Sequence, residues 1–350
     1  MQRGYEPVES PDETTVFPYH DLTPPTPRDV YRARRTIERH LPRTPLVRDE
    51  WLSDELDADV YLKREDTLPT GAFKVRGGVT LVADLDPEFR EHGLVAASTG
   101  NHGQSVAYAG RTFDVPVTIC VPEDANPKKV DAMEQFGARI EFSGEDFDEA
   151  RERAEELATE QPYRYVHSAN EQPYRYVHSA NEPALVAGVA TSGLEVVEEL
   201  PEVDVCFAPV GGGSCASGYC LTVGELLDAE VVGVQSAQAP AMYHAWNDGH
   251  LRGHDTMETT AEGLATRVPF ALTMELLRER LDDFVLVDDS ETLAALREAF
   301  VESRVVMEGA CATCVAAAIE QSEELRGKTV VLPVTGRNIS TEKFGALLSE

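Results

Sequence analysis

The stretch Thr70-Gly71-Ala72-Phe73-Lys74-Val75-Arg76-Gly77-Gly78 decides how the rest of the chain is read. One lysine sits among small and apolar residues, with Phe73 before it and a glycine pair after it. Upstream, Val60-Tyr61-Leu62-Lys63-Arg64-Glu65-Asp66 has the pattern of a short strand ending in charge, and Gly77 to Ala83 can open a helix. A lysine at such a turn, crowded by apolar neighbours, loses solvation of its charged form, so its pKa falls. Schiff-base chemistry with an aldehyde needs a neutral amine of this kind. A lone loop lysine is more often a solvated surface residue. Lys74 therefore carries chemistry only if other parts of the chain supply a phosphate cradle and partners for a ring.

Those parts lie at the ends of later strand patterns. Gly93-Leu94-Val95-Ala96-Ala97-Ser98 is a buried strand running into Ser98-Thr99-Gly100-Asn101-His102-Gly103-Gln104, with a small-residue helix expected from Ser105 to Ala109. Backbone N–H groups at such a turn and helix start form an anion site, and Ser98 or Thr99 can cap the helix at the same time. Val203 to Ala208 is another strand, followed by Pro209-Val210-Gly211-Gly212-Gly213-Ser214-Cys215 and a helix. Three consecutive glycines there let several N–H groups converge on one phosphate. No Gly-Lys-Ser/Thr follows, so it is not a Walker loop. The last strand, Thr329 to Val334, ends in Thr335-Gly336-Arg337-Asn338, where a hydroxyl can donate to a ring nitrogen.

Between these pieces strands alternate with helices: Val115–Val121, helix 127–136, Gly137–Phe142, helix 146–159, helix 184–200, Val231–Gln235, Phe284–Val287, and helices 290–304 and 309–320. Residues 242–262 read as a polar loop. The alternation predicts an α/β fold with mostly parallel sheets, and 350 residues are enough for two lobes. Residues 1–24 read as a loose acidic arm. The segment Glu160-Gln161-Pro162-Tyr163-Arg164-Tyr165-Val166-His167-Ser168-Ala169-Asn170 recurs unchanged at Glu171 to Asn181. Only one strand is needed there, so the second copy is expected to keep it and the first to bulge outward; the rival is a hairpin made from both.

Acidic residues number 62 against 31 basic ones, for a net charge of −31 spread along the chain. Such a surface repels nucleic acid and anionic membranes and suits a protein kept soluble in concentrated salt, where screening weakens self-repulsion. No apolar run reaches about 18 residues and no secretory signal opens the chain, so a cytoplasmic location is expected. The six cysteines lack a secreted-domain spacing, and Cys311-Ala312-Thr313-Cys314 lies in a small-residue segment that reads as buried helix rather than a metal or redox motif.

Ala72 to Gly77, Ser98 to Gly103, Gly211 to Gly213 and Thr335 to Asn338, in this order and spacing, resemble the tryptophan-synthase-β-like (fold type II) pyridoxal-phosphate enzymes. The nearest likeness is to the threonine dehydratase and serine racemase branch, and it runs from about Pro25 to Phe344. The resemblance implies two lobes, each with a mostly parallel twisted sheet, and an active site in the cleft between them. It implies a large cofactor-binding domain from residues 25–92 and 182–350, and a smaller domain inserted at residues 93–170, with the 160–181 duplication at the boundary. Lys74 would bind pyridoxal 5'-phosphate and shuttle the Cα proton, with Phe73 near the ring. Asn101 would meet the ring oxygen, and Gly211, Gly212, Gly213, Ser214 and Cys215 the phosphate. Thr335 would meet the ring nitrogen, and Ser98, Thr99, Gly100, Asn101 and His102 would grip the substrate carboxylate. Thr99 stands where racemase-like members carry a serine facing the lysine.

The implied activity is β-elimination from threonine or serine, giving a 2-oxo acid and ammonia. Threonine synthase or racemase activity is the near alternative, and a non-catalytic amino-acid-binding protein the distant one. A homodimer is implied. The chain departs from the family at Ala72, where a serine is usual, at Ser214, where a fourth glycine is usual, and at Thr335, which replaces a serine. Gln235 and Ala241 replace a carboxylate pair that holds a divalent cation in some relatives, so no metal site is expected. No C-terminal regulatory domain is expected beyond Glu350.

Overall fold

Short apolar runs alternating with amphipathic segments fold into two sheets carrying helices on their faces. The computed structural model describes residues 22–159, 175–254 and 257–348. Residues 1–21 of the expected arm lie outside this range.

The chain opens with α1 (Pro27–His40), β1 (Leu46–Arg48), α2 (Glu50–Leu56), β2 (Asp59–Arg64) and α3 (Val75–Ala83). Next come α4 (Pro87–His92), β3 (Leu94–Ala97), α5 (Asn101–Phe113), β4 (Val117–Val121), α6 (Pro127–Gln135), β5 (Arg139–Phe142), α7 (Phe147–Thr159) and β6 (Arg175–Tyr176), which supply the four strands of the smaller sheet. α8 (Pro183–Glu199) returns to the larger lobe, which continues with β7 (Val205–Pro209), α9 (Ser214–Tyr219), α10 (Glu225–Leu227), β8 (Glu230–Ser236), α11 (Ala241–Asp248) and α12 (Ala271–Arg280). It closes with β9 (Asp283–Val287), α13 (Asp289–Ser303), α14 (Gly309–Glu320), α15 (Ser322–Leu325), β10 (Thr329–Val334) and α16 (Thr341–Leu347).

The larger sheet has six strands in the order β1-β2-β10-β7-β8-β9 and is parallel except for β1, an edge strand antiparallel to β2. The smaller sheet, β5-β4-β3-β6, is parallel throughout. Strands covered on both faces must be apolar along their whole length, and every residue of β4 and β7 is buried. The four sequence motifs sit just beyond the carboxyl ends of β2, β3, β7 and β10, where open α/β sheets place ligands.

Helices α3, α5 and α8 cross at close range between the sheets. A Cβ on Gly78 would stand 2.7 Å from the Ser105 carbonyl oxygen of α5. One on Gly77 would stand 2.9 Å from the Leu185 carbonyl oxygen, and one on Gly188 2.6 Å from that of Arg76. The glycine pair after Lys74 therefore serves backbone-to-backbone packing. Gly78→Val should cost about 3 kcal/mol or more, because rigid backbone rather than a flexible side chain must move. A urea midpoint equal to that of the wild type would refute this.

Two elements differ from the sequence expectation. Residues 242–262 are not all loop, because α11 occupies Ala241–Asp248. Its buried face is only Ala241, Met242 and Ala245, too narrow a stripe to stand out among Tyr243, His244, Asn247 and Asp248. Likewise α5 begins at Asn101 rather than Ser105, because Ser98 Oγ accepts the Gly103 N–H at 2.9 Å and so stabilises the first turn. β6 comes from the second copy of the duplication and pairs with β3, Tyr176 opposite Val95. The first copy lies outside the described residues.

Candidate active site

Lys74 forms the N-cap of α3, and its carbonyl accepts the Ser105 hydroxyl at 2.6 Å. Its Nζ lies 3.3 Å from Ser214 Oγ and donates to the Ser179 carbonyl at 3.3 Å. The Phe73 ring centroid is 5.5 Å from the same nitrogen. Burial lowers the pKa of the amine to about 8, against the opposing pull of Cys215 and Glu308. Lys74 and Ser214, the residue after the glycine triplet and 140 positions away in sequence, thus meet at one point.

Gly213 has φ +87°, the left-handed conformation that lets the chain turn from β7 into α9. A Cβ on Gly212 would lie 3.0 Å from Ala180 Cβ and 3.1 Å from the Phe270 ring. Thr273 Oγ1 donates to the Gly212 carbonyl at 2.7 Å and fixes the loop from behind. The first N–H groups of a helix have no partner one turn earlier, so those of Ser214 and Cys215 are free for an anion. Burial raises the Cys215 thiol well above its ordinary range, which leaves its backbone as the useful part.

Thr335 is buried, and its carbonyl accepts the Phe73 N–H at 2.8 Å. Its hydroxyl touches Cys311 Sγ at 3.2 Å. Asn101 Nδ2 donates to both carboxyl oxygens of Glu308, at 3.0 and 3.1 Å, while Asn101 Oδ1 accepts from Asn338 Nδ2 at 2.6 Å. Glu308 escaped the sequence reading, and Asn338 entered it only as the end of the Thr335–Asn338 motif, with no role of its own. Burial pushes the Glu308 carboxyl upward against the lowering effect of Asn101.

Among the remaining predicted residues, Thr99 and Gly100 line the cleft. The Ser98 hydroxyl accepts the Gly100 and Gly103 N–H groups, so it caps the first turn of α5 and keeps only its O–H donor for a ligand. The His102 ring bonds the Val177 carbonyl at 3.0 Å, so it ties α5 to the segment after β6. Gln235 is buried, and its Oε1 accepts the Tyr243 N–H of α11 at 3.0 Å.

These groups line a cleft of about 1330 Å³ between the lobes. Ion pairs join its two sides at the rim: Lys129 and Lys343 share Glu262, Lys128 meets Glu342, and Arg267 meets Asp148. An amine of lowered pKa at the floor, free N–H donors beside it and a buried hydroxyl at the end of β10 fit a phosphorylated pyridine aldehyde.

Burial holds His102 at a pKa of about 4 and His178 at about 3, both below the ordinary imidazole value, and the charge on Lys74 adds to this. In the unfolded chain both rings bind protons below about 6.5, so the unfolded state takes up more protons there. Their contribution to stability is complete above pH 6.5 and is lost progressively as pH falls towards 4 and then 3. Urea midpoints should therefore decline from about pH 6.5 downward, and His178→Gln should flatten that decline.

Residues 37–336 match the protein family described as "Pyridoxal-phosphate dependent enzyme". The chain belongs to the pyridoxal-phosphate-dependent enzymes. It is 34% identical over 326 residues to the L-threonine ammonia-lyase of Thermotoga maritima, covering 93% of this chain and 78% of that protein. Threonine deaminase isoform 2 from Solanum lycopersicum superposes with a TM-score of 0.83 at 26% identity, covering 96% of this chain and 97% of that one. Serine racemase from Dictyostelium discoideum does so with a TM-score of 0.81 at 27% identity, covering 90% and 99%.

Proposed function

We propose that this chain is a threonine (serine) ammonia-lyase that eliminates the β-hydroxyl of its substrate and releases a 2-oxo acid and ammonia. The observation that carries the reading is Lys74 Nζ at 3.3 Å from Ser214 Oγ, within a chain similar along most of its length to an L-threonine ammonia-lyase. Bound in this cleft, pyridoxal phosphate supplies an aldehyde for amine capture and an electron sink for the charge left at Cα.

The chain's own residues do the rest. Lys74 holds the cofactor and, once free, takes the Cα proton, for which a pKa of about 8 suits it. N–H groups from Gly211 to Cys215 hold the phosphate, and those of the Ser98–His102 turn bind the substrate carboxylate. Thr99 faces the substrate. Asn101 donates to the ring oxygen. Thr335 would offer the ring nitrogen a neutral hydroxyl rather than a carboxylate, a partner that does not favour a protonated nitrogen and so suits elimination over transamination.

Incubation of the purified protein with L-threonine, L-serine and O-phosphohomoserine tests the reading. Oxo acid and ammonia should form from the first two. Turnover of the phosphorylated substrate alone, or conversion to the D-enantiomer without oxo acid, would overturn it.

The net charge of −31 supports work in concentrated salt, where added ions would also screen exposed rim pairs such as Lys128–Glu342. No helix among the described residues is long and apolar enough to cross a membrane. With six buried free cysteines this supports a cytoplasmic enzyme. Light scattering after size exclusion tests the homodimer that completes this reading.

A further inference from the structure

α14 starts at the cleft. Its N-cap residue, Glu308, and its third residue, Cys311, stand about one helical turn apart. Each holds one of the two side chains assigned above to the cofactor ring. We propose that this turn is a positioning platform for both ends of the ring, with Glu308 fixing the Asn101 amide and Cys311 fixing the Thr335 hydroxyl. The proposal rests on the assignment of Asn101 and Thr335 to that ring.

The Asn101 amide has one possible orientation. Asn338 Nδ2 also donates to the Thr70 carbonyl at 3.0 Å and only donates, so Asn101 Oδ1 faces Asn338 and Asn101 Nδ2 is left facing the Glu308 carboxyl. Turning the amide over would break both contacts. One Nδ2 hydrogen is committed to the carboxylate and the other stays available. Because Asn101 starts α5 in the smaller lobe and Glu308 belongs to the larger one, this contact also sets the lobes against each other at the ring.

Cys311 grips the other end through three contacts. Its Sγ accepts the Gly336 N–H at 3.3 Å, reaches the Gly336 carbonyl at 3.3 Å and touches Thr335 Oγ1 at 3.2 Å. A large, polarisable sulfur can hold a peptide group and a hydroxyl at once. Behind it Ala312, Cys314 and Ala318 are wholly buried, so the turn is anchored in the core of the larger lobe.

Double-mutant cycles test the platform. Two readouts apply: the dissociation constant of pyridoxal phosphate from the apo-protein, by equilibrium dialysis, and the pH midpoint of the holoenzyme's visible band. C311A and E308Q should each weaken binding about 3- to 10-fold, as expected for loss of one modest hydrogen bond, and shift the band midpoint. C311S should recover most of the loss. C311A should add nothing in a T335A background, nor E308Q in an N101A background. Wild-type binding and band in C311A and E308Q, or effects fully additive with T335A and N101A, would overturn the platform. If C311A does not fold, C311V serves in its place, filling the buried site without a polar atom. Failure of the wild-type protein itself to capture the cofactor would instead overturn the functional reading.

Discussion

Lys74→Ala should lose the visible absorption band of bound cofactor and at least about three orders of magnitude of turnover, since one amine both captures the aldehyde and carries the proton. The sign of the pH dependence follows from its surroundings. The amine, held at about 8 by burial, is charged below that pH and nucleophilic above it. Between pH 7 and pH 9 its neutral fraction rises from about a tenth to about nine tenths, so capture of pyridoxal phosphate by the apo-protein should speed up about tenfold. An ordinary lysine near 10.4 would still be gaining rate steeply at pH 9 and beyond. Stopped-flow absorbance on the apo-protein distinguishes the two, and Lys74→Ala supplies the baseline.

The second large effect is expected two residues further on. Arg76 is wholly buried and donates to Glu65 at 2.7 and 2.9 Å, to Glu195 at 2.7 and 2.9 Å, and to Thr191 and Thr44. Lys63, equally buried, donates to Glu195 at 2.7 Å and to the Thr44 carbonyl. Two cations thus face two carboxylates in a neutral group joining β2, α3 and α8 directly behind the catalytic loop. The attraction of Arg76 holds Glu195 at a pKa of about 2 despite its burial. Arg76→Met would leave two carboxylates facing one lysine and should cost about 3–5 kcal/mol, the range for breaking a buried pair from one side. Arg76→Lys keeps the charge but cannot serve both carboxylates with a planar fork, so an intermediate loss is expected. Urea unfolding measures both, and an unchanged midpoint for Arg76→Met would show that the group contributes nothing.

That charge cluster also shows where sequence reading stops. Lys74, the glycine triplet and the Ser98–His102 turn were visible because each joins a buried apolar run to a helix through residues that only a special turn requires. Glycine is informative there because few other residues fit. Glu65, Glu195 and Glu308 gave no such signal. A single glutamate among 62 acidic residues is indistinguishable from a solvated one until the fold sets Glu308 3.0 Å from Asn101, 207 positions away. Ser98 was legible both as a residue of the site and as a cap, and the fold selects it over Thr99 by setting its Oγ 2.9 Å from the Gly103 N–H. α11 was missed because three buried residues do not raise a helical period above its polar neighbours.

The crossing of α3, α5 and α8 at Gly77, Gly78 and Gly188 constrains how this enzyme can diverge. At those three positions there is no side chain to exchange, and a neighbouring backbone oxygen stands within 3 Å of where a Cβ would lie. Lineages that acquire new amino-acid preferences on this scaffold must therefore do so by altering its walls and entrance, around Thr99, Ser179 and Phe270. Laboratory libraries built to redirect selectivity should draw their surviving variants from those positions and almost none from the helix crossing.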